Sequence, residues 1–333
     1  MAMQRREWLG GMGAAALGAC LGGLPGGARA ASEWKLATGY KSETFHTRNV
    51  EQFAQEVGRA SAGELRIAVH ANNSLAKLSD IFAAVQSGKA EAGEVLMAGI
   101  VGQVPLAGAD SVPFVLSTYQ DAARLWKHQR PLIDAALHAQ GLVPLYAVPW
   151  PPQGLFSVRP VRGKADFQGL KMRTYNAATV RIAELLGAVA VDVPAPDIPK
   201  ALATGQIEAM ITSSATGAES QIWTHARFYY ELNAWIPKNL VFARKQAMDA
   251  LGAAARQAVV QAAQAAEERG WAMSEQAMAS AVAELRSHGM AVERIAPDLG
   301  REIGRLGERF SREWVRSVGH DATRLFVPFY TQA

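Results

Sequence analysis

Between residues 34 and 211 the apolar positions switch between a two-residue and a helical rhythm, and they do so in the same order twice. Trp34 to Thr38 reads as a strand, Thr47 to Arg59 as an amphipathic helix with Val50, Phe53, Ala54 and Val57 on one face, and Leu65 to Val69 as a second strand. Asp80-Ile81 then opens an apolar helical stretch ended by Gly88, and Glu91-Ala92 leads into the strand-like Val95-Leu96-Met97. In the later copy Leu170 to Arg173 is a strand, Ala177 to Leu186 a helix carrying Val180, Ile182, Ala183 and Leu186, and Val189 to Val193 a strand. Asp197-Ile198, Gly205, Glu208-Ala209 and Met210-Ile211 follow, at one common offset from their earlier counterparts. Each aspartate is placed to N-cap its helix, and each glycine to end it in a positive-φ conformation. A β-α-β-loop-α-β order that occurs twice predicts two similar open α/β lobes of parallel strands joined by helical crossovers.

Beyond Met248 the pattern becomes Ala-rich and helical as far as His288, with Gly270 either a kink or a tolerated interruption. Leu299 to Val318 reads as a further amphipathic helix, and Phe326 to Tyr330 as a tail packed on one lobe. The expected organisation is an export leader over 1–30, mainly the first lobe over 31–150, mainly the second over 151–245, and scaffold helices over 246–333.

Composition narrows the class. With 333 residues, 49% hydrophobic and 19% charged, the chain can build about two domains and is not a disordered one. Of the net charge of +4, two units come from Arg5, Arg6 and Arg29 against Glu7, so no strongly basic face remains for nucleic acid. The first thirty residues look like an address: paired arginines, an uncharged run from Leu9 to Leu24, then Ala28-Arg29-Ala30 as a small-x-small cleavage site. The arginine pair resembles a twin-arginine signal, and a general secretory leader is the alternative; either way the mature chain is periplasmic. Cys20, the single cysteine, follows Leu17-Gly18-Ala19 as in a lipobox, but Ala28-x-Ala30 competes with lipid anchoring there. One cysteine also excludes a disulfide framework and a CxxC metal site.

Ligands of open α/β sheets sit beyond the carboxyl ends of the strands, so the crevice between two lobes should be lined by Tyr40 to His46, Ala71 to Ser74, Leu96 to Gly99, Trp150 to Gly154, Arg173 to Asn176 and Ile211 to Gly217. Arg173 ends a strand just before a helix, so its guanidinium and the free N–H groups of that helix could converge on one carboxylate; a surface ion pair is the competing reading. No GxSxG, HExxH or GxxxxGK[ST] motif occurs, and the seven histidines lack metal-ligand spacing. No cofactor or metal is therefore implied. His46 lies nearest the crevice and reads as a structural histidine rather than a catalyst, while Glu91 and Glu208, at equivalent places in the two copies, suggest a shared structural role. Trp150, Tyr175 and Phe45 are candidate pocket walls; Trp126, Trp223, Phe228, Tyr229, Tyr230 and Trp235 fit lobe packing better.

Several segments are similar to the solute-binding proteins of TRAP (tripartite ATP-independent periplasmic) transporters, the DctP-like family. They are Phe167-Gln168-Gly169-Leu170-Lys171-Met172-Arg173 with Asn176-Ala177-Ala178-Thr179 after it, Ala201-Leu202-Ala203-Thr204-Gly205-Gln206-Ile207-Glu208, and Asp110-Ser111-Val112-Pro113-Phe114. The resemblance runs over essentially the whole mature chain. It implies a periplasmic binding protein of two α/β lobes closing on one ligand, a long helix across both, and a substrate carboxylate held by Arg173, with Asn176 as a supporting polar group. Two departures stand out: Gln153 replaces a second arginine of the sialic-acid-binding branch, and Thr212, beside Ser213, replaces a ligand-binding asparagine.

With one strong cation left and Trp150, Phe45, Leu96, Met97 and Met210 expected nearby, together with Tyr40 and Asn73, the ligand predicted is a monocarboxylate with an apolar or aromatic body. The chain is then a monomer that delivers its ligand to membrane permease subunits and performs no chemistry on it. A periplasmic sensor subunit, or a hydrolase or lyase using His46, are the alternatives; the fold alone does not separate transport from sensing.

Overall fold

The computed structural model describes residues 32–331; the leader, with Cys20 and Ala28-Arg29-Ala30, lies outside the described residues. The first copy of the repeat builds β1 (Ser32–Ala37), α1 (Phe45–Ala60), β2 (Leu65–His70), α2 (Ile81–Gln86) and β3 (Ala92–Leu96). After α3 (Tyr119–His138) and β4 (Leu142–Pro149) the chain passes to β5 (Gln153–Ser157) and the second copy: β6 (Lys171–Thr174), α4 (Ala177–Leu186), β7 (Val189–Asp192), α5 (Ile198–Ala203) and β8 (Ala209–Ser213). Then come α6 (Ser214–Glu219), β9 (Phe228–Glu231), β10 (Lys238–Arg244), α7 (Lys245–Asp249), α8 (Ala253–Ser287), β11 (Ala291–Arg294), α9 (Pro297–Val318) and α10 (His320–Thr331).

Two sheets result, ordered β2-β1-β3-β10-β4 and β11-β9-β5-β8-β6-β7. In each, three strands of the repeat run parallel, and one strand from elsewhere in the chain lies antiparallel against the last of them: β10 on β3, and β5 on β8. The sheets are therefore mixed rather than wholly parallel. The second departure is in the lobe boundary, because Lys238–Arg244 returns to the first sheet instead of staying with 151–237. Physically, β10 can fill this slot because it is an almost wholly buried run that needs cover on both faces, which the interior of the first sheet provides.

The repeat explains its own conserved offsets. Glu91 Oε2 accepts from the backbone N–H of Lys35 at 2.8 Å, and Glu208 Oε2 accepts from that of Lys171 at 3.1 Å, so the two glutamates tie the middle of β1 and the start of β6 to the segment leading into the neighbouring strand. Gly88 (φ +81) and Gly205 (φ +66) end their helical segments in the left-handed region, as expected. Asp80 and Asp197 differ from expectation: neither side chain bonds a helix N–H, because a 3-10 turn precedes each helix and its carbonyls already lead the chain in.

Both faces of each sheet are covered. Val50, Phe53 and Val57 of α1 meet Val259, Ala262 and Ala266 of α8 on one side of the first sheet, while Ile81, Val85, Leu125 and Phe242 pack on the other. Each such fully buried large side chain contributes about 1.5–3 kcal/mol of transfer free energy. Helix α8 runs unbroken through Gly270 and touches α1 and β4 of the first lobe and α6 and β11 of the second. A Cβ at Gly270 would lie 2.4 Å from Val148 and 2.8 Å from the Asn49 amide nitrogen, so glycine is there for close approach and not for a kink. Helix α9 packs on α4, where Glu313 takes both Nε and Nη2 of Arg181 at 2.9 Å, and α10 packs on α3. Among the described residues no helix is long and apolar enough to cross a membrane.

The chain crosses between sheets at 150–152 and again at 232–237, and the two crossings are zipped together. Trp150 N–H donates to Pro237 O (2.8 Å), Gln153 N–H to Trp235 O (2.9 Å) and Ala234 N–H to Gln153 O (2.9 Å).

Candidate functional site

Arg173 is the penultimate residue of β6 and is only 4% exposed. Its Nε donates to the carbonyl of Val193 at 2.8 Å, and its guanidinium carbon stands 4.6 Å from the centre of the Tyr175 ring. Among the described residues its two terminal amino groups donate to no protein acceptor. Burial lowers its pKa to about 10, opposed by Tyr175, Asp192 and Tyr40, so at neutral pH it remains a cation with two unspent donor groups. An ion pair at the surface is thereby set aside.

The α4 N-terminus does not join it as expected. Asn176 Oδ1 accepts from Thr179 N–H (2.9 Å), while Thr179 Oγ1 accepts from the N–H groups of Tyr175 (3.0 Å) and Asn176 (3.1 Å). Three N–H donors are consumed by this cap and are not offered to an anion. Among the described residues the Asn176 side-chain nitrogen is buried without a partner, a spare donor three positions along the chain from Arg173.

Tyr40 belongs to the opposite lobe, in the turn after β1, yet its hydroxyl lies within electrostatic reach of Arg173 and Tyr175. It stacks in an aromatic wall: Trp150 is 5.3 Å from it, Phe45 is edge-on to Trp150 at 5.5 Å, and the His46 ring is 4.2 Å from Trp150. Leu96 packs against the same cluster, and Asn73 braces the turn, its N–H donating to Thr38 O (3.3 Å) and its Oδ1 accepting from Leu78 N–H (2.9 Å).

Under the wall sits a polar network that sequence reasoning missed. Glu94 on β3 is 1% exposed; it accepts from Thr38 Oγ1 (2.5 Å) and from the Asn239 side-chain amide (3.0 Å), with His46 Nδ1 3.4 Å away. Asn239 Oδ1 in turn accepts from Trp150 Nε1 (2.9 Å) and from the Tyr40 hydroxyl (3.2 Å). Burial acts to raise the Glu94 pKa, but His46, Thr38 and Asn239 outweigh it and hold the carboxyl below its ordinary value. Burial drives the His46 pKa down, leaving a neutral ring packed between Phe45 and Trp150. The signal for this network was a glutamate inside the otherwise apolar Ala92-Gly93-Glu94-Val95-Leu96.

The remaining expected residues divide. Gln153 is 2% exposed, its amide nitrogen donating to Pro151 O (2.7 Å) at the crossing. Thr212, on β8 beside Gly154, is buried, and Ser213 Oγ caps α6 by accepting from Thr216 N–H (3.0 Å). Met97 and Met210 are fully buried in apolar clusters, Met97 with Ile81 and Phe82, Met210 with Ile198 and Leu285. Both side chains are packed in core clusters, at 0% exposure. Among the described residues no group of three His, Cys, Asp or Glu could hold a metal ion.

A buried guanidinium with free donors, within electrostatic reach of an aromatic wall on the other α/β lobe, is an arrangement suited to a small anionic solute. The chain belongs to the DctP family, bacterial extracellular solute-binding protein family 7, whose model matches residues 36–302. A curated relative, "Solute-binding protein" of Albidiferax ferrireducens, is 28% identical over 179 residues, 53% of this chain and 52% of that one, so the chain spans about half the length of the curated relative it matches. Among solved structures, DctP7 of Bordetella pertussis, an extracytoplasmic solute receptor binding pyroglutamic acid, is 38% identical with a TM-score of 0.88, covering 90% of this chain and 100% of its own. DctP6 of the same organism, also binding pyroglutamic acid, is 34% identical at TM-score 0.88 over 90% of this chain and 99% of its own. A marine metagenome TRAP solute-binding protein specific for pyroglutamate is 34% identical at TM-score 0.87, over 90% and 99%. The expectations of the family and of the two-lobed fold hold.

Proposed function

We propose that the protein captures a compact cyclic monocarboxylate of the pyroglutamate type between its lobes and passes it, as a periplasmic monomer, to a TRAP membrane permease. The observation that carries this reading is the guanidinium of Arg173, buried and charged with its terminal amino groups unspent. A carboxylate accepts two parallel charge-assisted bonds from such a fork, and burial of the fork favours an anion over a neutral solute. The Trp150, Phe45 and Leu96 wall supplies apolar surface for a small ring, and Asn176 supplies one further donor. The pyroglutamate bound by the two Bordetella receptors and the marine protein supports this ligand class. Binding works by selection of a closed arrangement that the ligand's contacts to both lobes stabilise; no bond of the ligand changes. Titration calorimetry with L-pyroglutamate, acetate, succinate and glucuronate tests the reading. Tight binding of pyroglutamate that disappears in Arg173→Ala is the expected result; equal binding in the variant, or preference for a dicarboxylate, overturns it.

A further inference from the structure

The hydrogen bonds around Asn239 run in one direction only. Ionised Glu94 can accept and cannot donate, so the Asn239 atom that faces it at 3.0 Å is the amide nitrogen. The indole N–H of Trp150 can donate and cannot accept, so the atom that faces it at 2.9 Å is the carbonyl oxygen. These two neighbours fix the amide from opposite sides and leave no alternative flip. The Tyr40 hydroxyl, 3.2 Å from the same oxygen, is therefore obliged to spend its single proton on Asn239. Both lone pairs of the Asn239 oxygen and the Trp150 proton are then in use. What the Tyr40 hydroxyl still offers a ligand is a lone pair on its oxygen, within electrostatic reach of the Arg173 cation.

We infer that Tyr40, oriented through Asn239 by Glu94 and Trp150, is a hydrogen-bond acceptor that selects carboxylates carrying an N–H donor beside the acid group and rejects isosteres with an oxygen there. The inference rests on the carboxylate reading above and deepens it by assigning the donor pattern of the ligand. A lactam N–H meets the Tyr40 lone pair favourably, whereas a lactone ring oxygen sets lone pair against lone pair, and Tyr40 cannot rotate its proton outward without stranding Asn239. Burial keeps the phenol protonated at every physiological pH, so the donor count of the network does not change.

The test is calorimetric titration of the purified protein with L-pyroglutamate and with 5-oxotetrahydrofuran-2-carboxylate, in which ring oxygen replaces N–H, on wild type and Tyr40→Phe. Wild type is expected to prefer the lactam by at least roughly tenfold, the worth of one hydrogen bond made or opposed. Tyr40→Phe is expected to bring the ratio near one, by weakening the lactam while leaving the lactone unchanged or tighter. Equal affinities in wild type, or a Tyr40→Phe loss shared by both ligands, overturns the inference while the carboxylate reading stands. Failure of both ligands to bind, or binding untouched by Arg173→Ala, overturns that reading and the inference with it.

Discussion

Arg173 is tethered to Val193 through Nε alone, at 2.8 Å, so the bond that aims the guanidinium is separate from the two amino groups, which among the described residues meet no protein acceptor. A lysine has one nitrogen for both tasks. Arg173→Lys should therefore keep the fold but lose roughly 10- to 100-fold in carboxylate affinity, equivalent to one charge-assisted bond at about 1.5–3 kcal/mol. Calorimetry beside a melting curve checks this; a lysine variant with wild-type affinity would mean the guanidinium geometry is immaterial.

Acidification should weaken the fold through the network under the aromatic wall. His46 has a folded pKa below its ordinary value of 6.5, so the unfolded chain takes up that proton first, and the stability of the neutral ring is lost as pH falls from about 6.5 through the depressed value. Glu94 is likewise depressed, so its contribution, present above the ordinary carboxylate value of about 4.5, is lost as pH falls through the folded pKa. Melting temperature should fall from pH 7 to pH 4, and the upper part of that slope should flatten in His46→Asn.

Asp110 and Lys238 form an ion pair at 3.2 Å with both side chains at 0% exposure. Burial raises the aspartate and lowers the lysine, so desolvation dominates over their attraction. Lys238→Met alone should cost about 3–5 kcal/mol by leaving an unpaired buried carboxylate. Adding Asp110→Asn should recover much of the loss, since asparagine can still accept from the Lys238 backbone N–H, now bonded to Asp110 at 2.8 Å. Denaturant titration of the single and double variants reads this out; a single variant as stable as wild type contradicts the account.

The equivalent glycines of the two copies should respond alike to a methyl group. Gly205 has φ +66 and open space where a Cβ would go, so Gly205→Ala isolates backbone strain, about 1–2 kcal/mol. At Gly88, φ +81, the new Cβ would approach the mobile end of Arg244 at 2.4 Å, which can swing away, so the cost should be similar. The sites lie in different lobes, and urea denaturation of the double variant should show additivity within about 0.5 kcal/mol.

The repeated half of the fold was legible because each of its strands and helices carries its own period: Ala177 to Leu186 was predicted with the boundaries it has. The strands that complete each sheet were not. Val241 pairs with Glu94 and Tyr146, and Leu155 with Ile211 and Tyr230, partners that local pattern does not reveal. Arg173 was legible because a strand end before a helix start is a local feature. Asn239 was not, since its meaning depends on Glu94, 145 positions away. Met97 and Met210 pack in the core although their neighbours in sequence line the expected crevice: Met210 alternates to the other side of β8, and Met97 opens the 3-10 turn after β3, and local pattern fixes neither direction.

The exchange of β10 into the first sheet sets an order on biosynthesis. Until Arg244 has left the ribosome, β3 and β4 have no strand between them and each presents a bare edge. The first sheet is therefore incomplete until nearly three-quarters of the chain exists, and the second until β11 has followed it. Fragments cut between the lobes should aggregate rather than fold, because each would carry a sheet edge whose partner lies on the other piece.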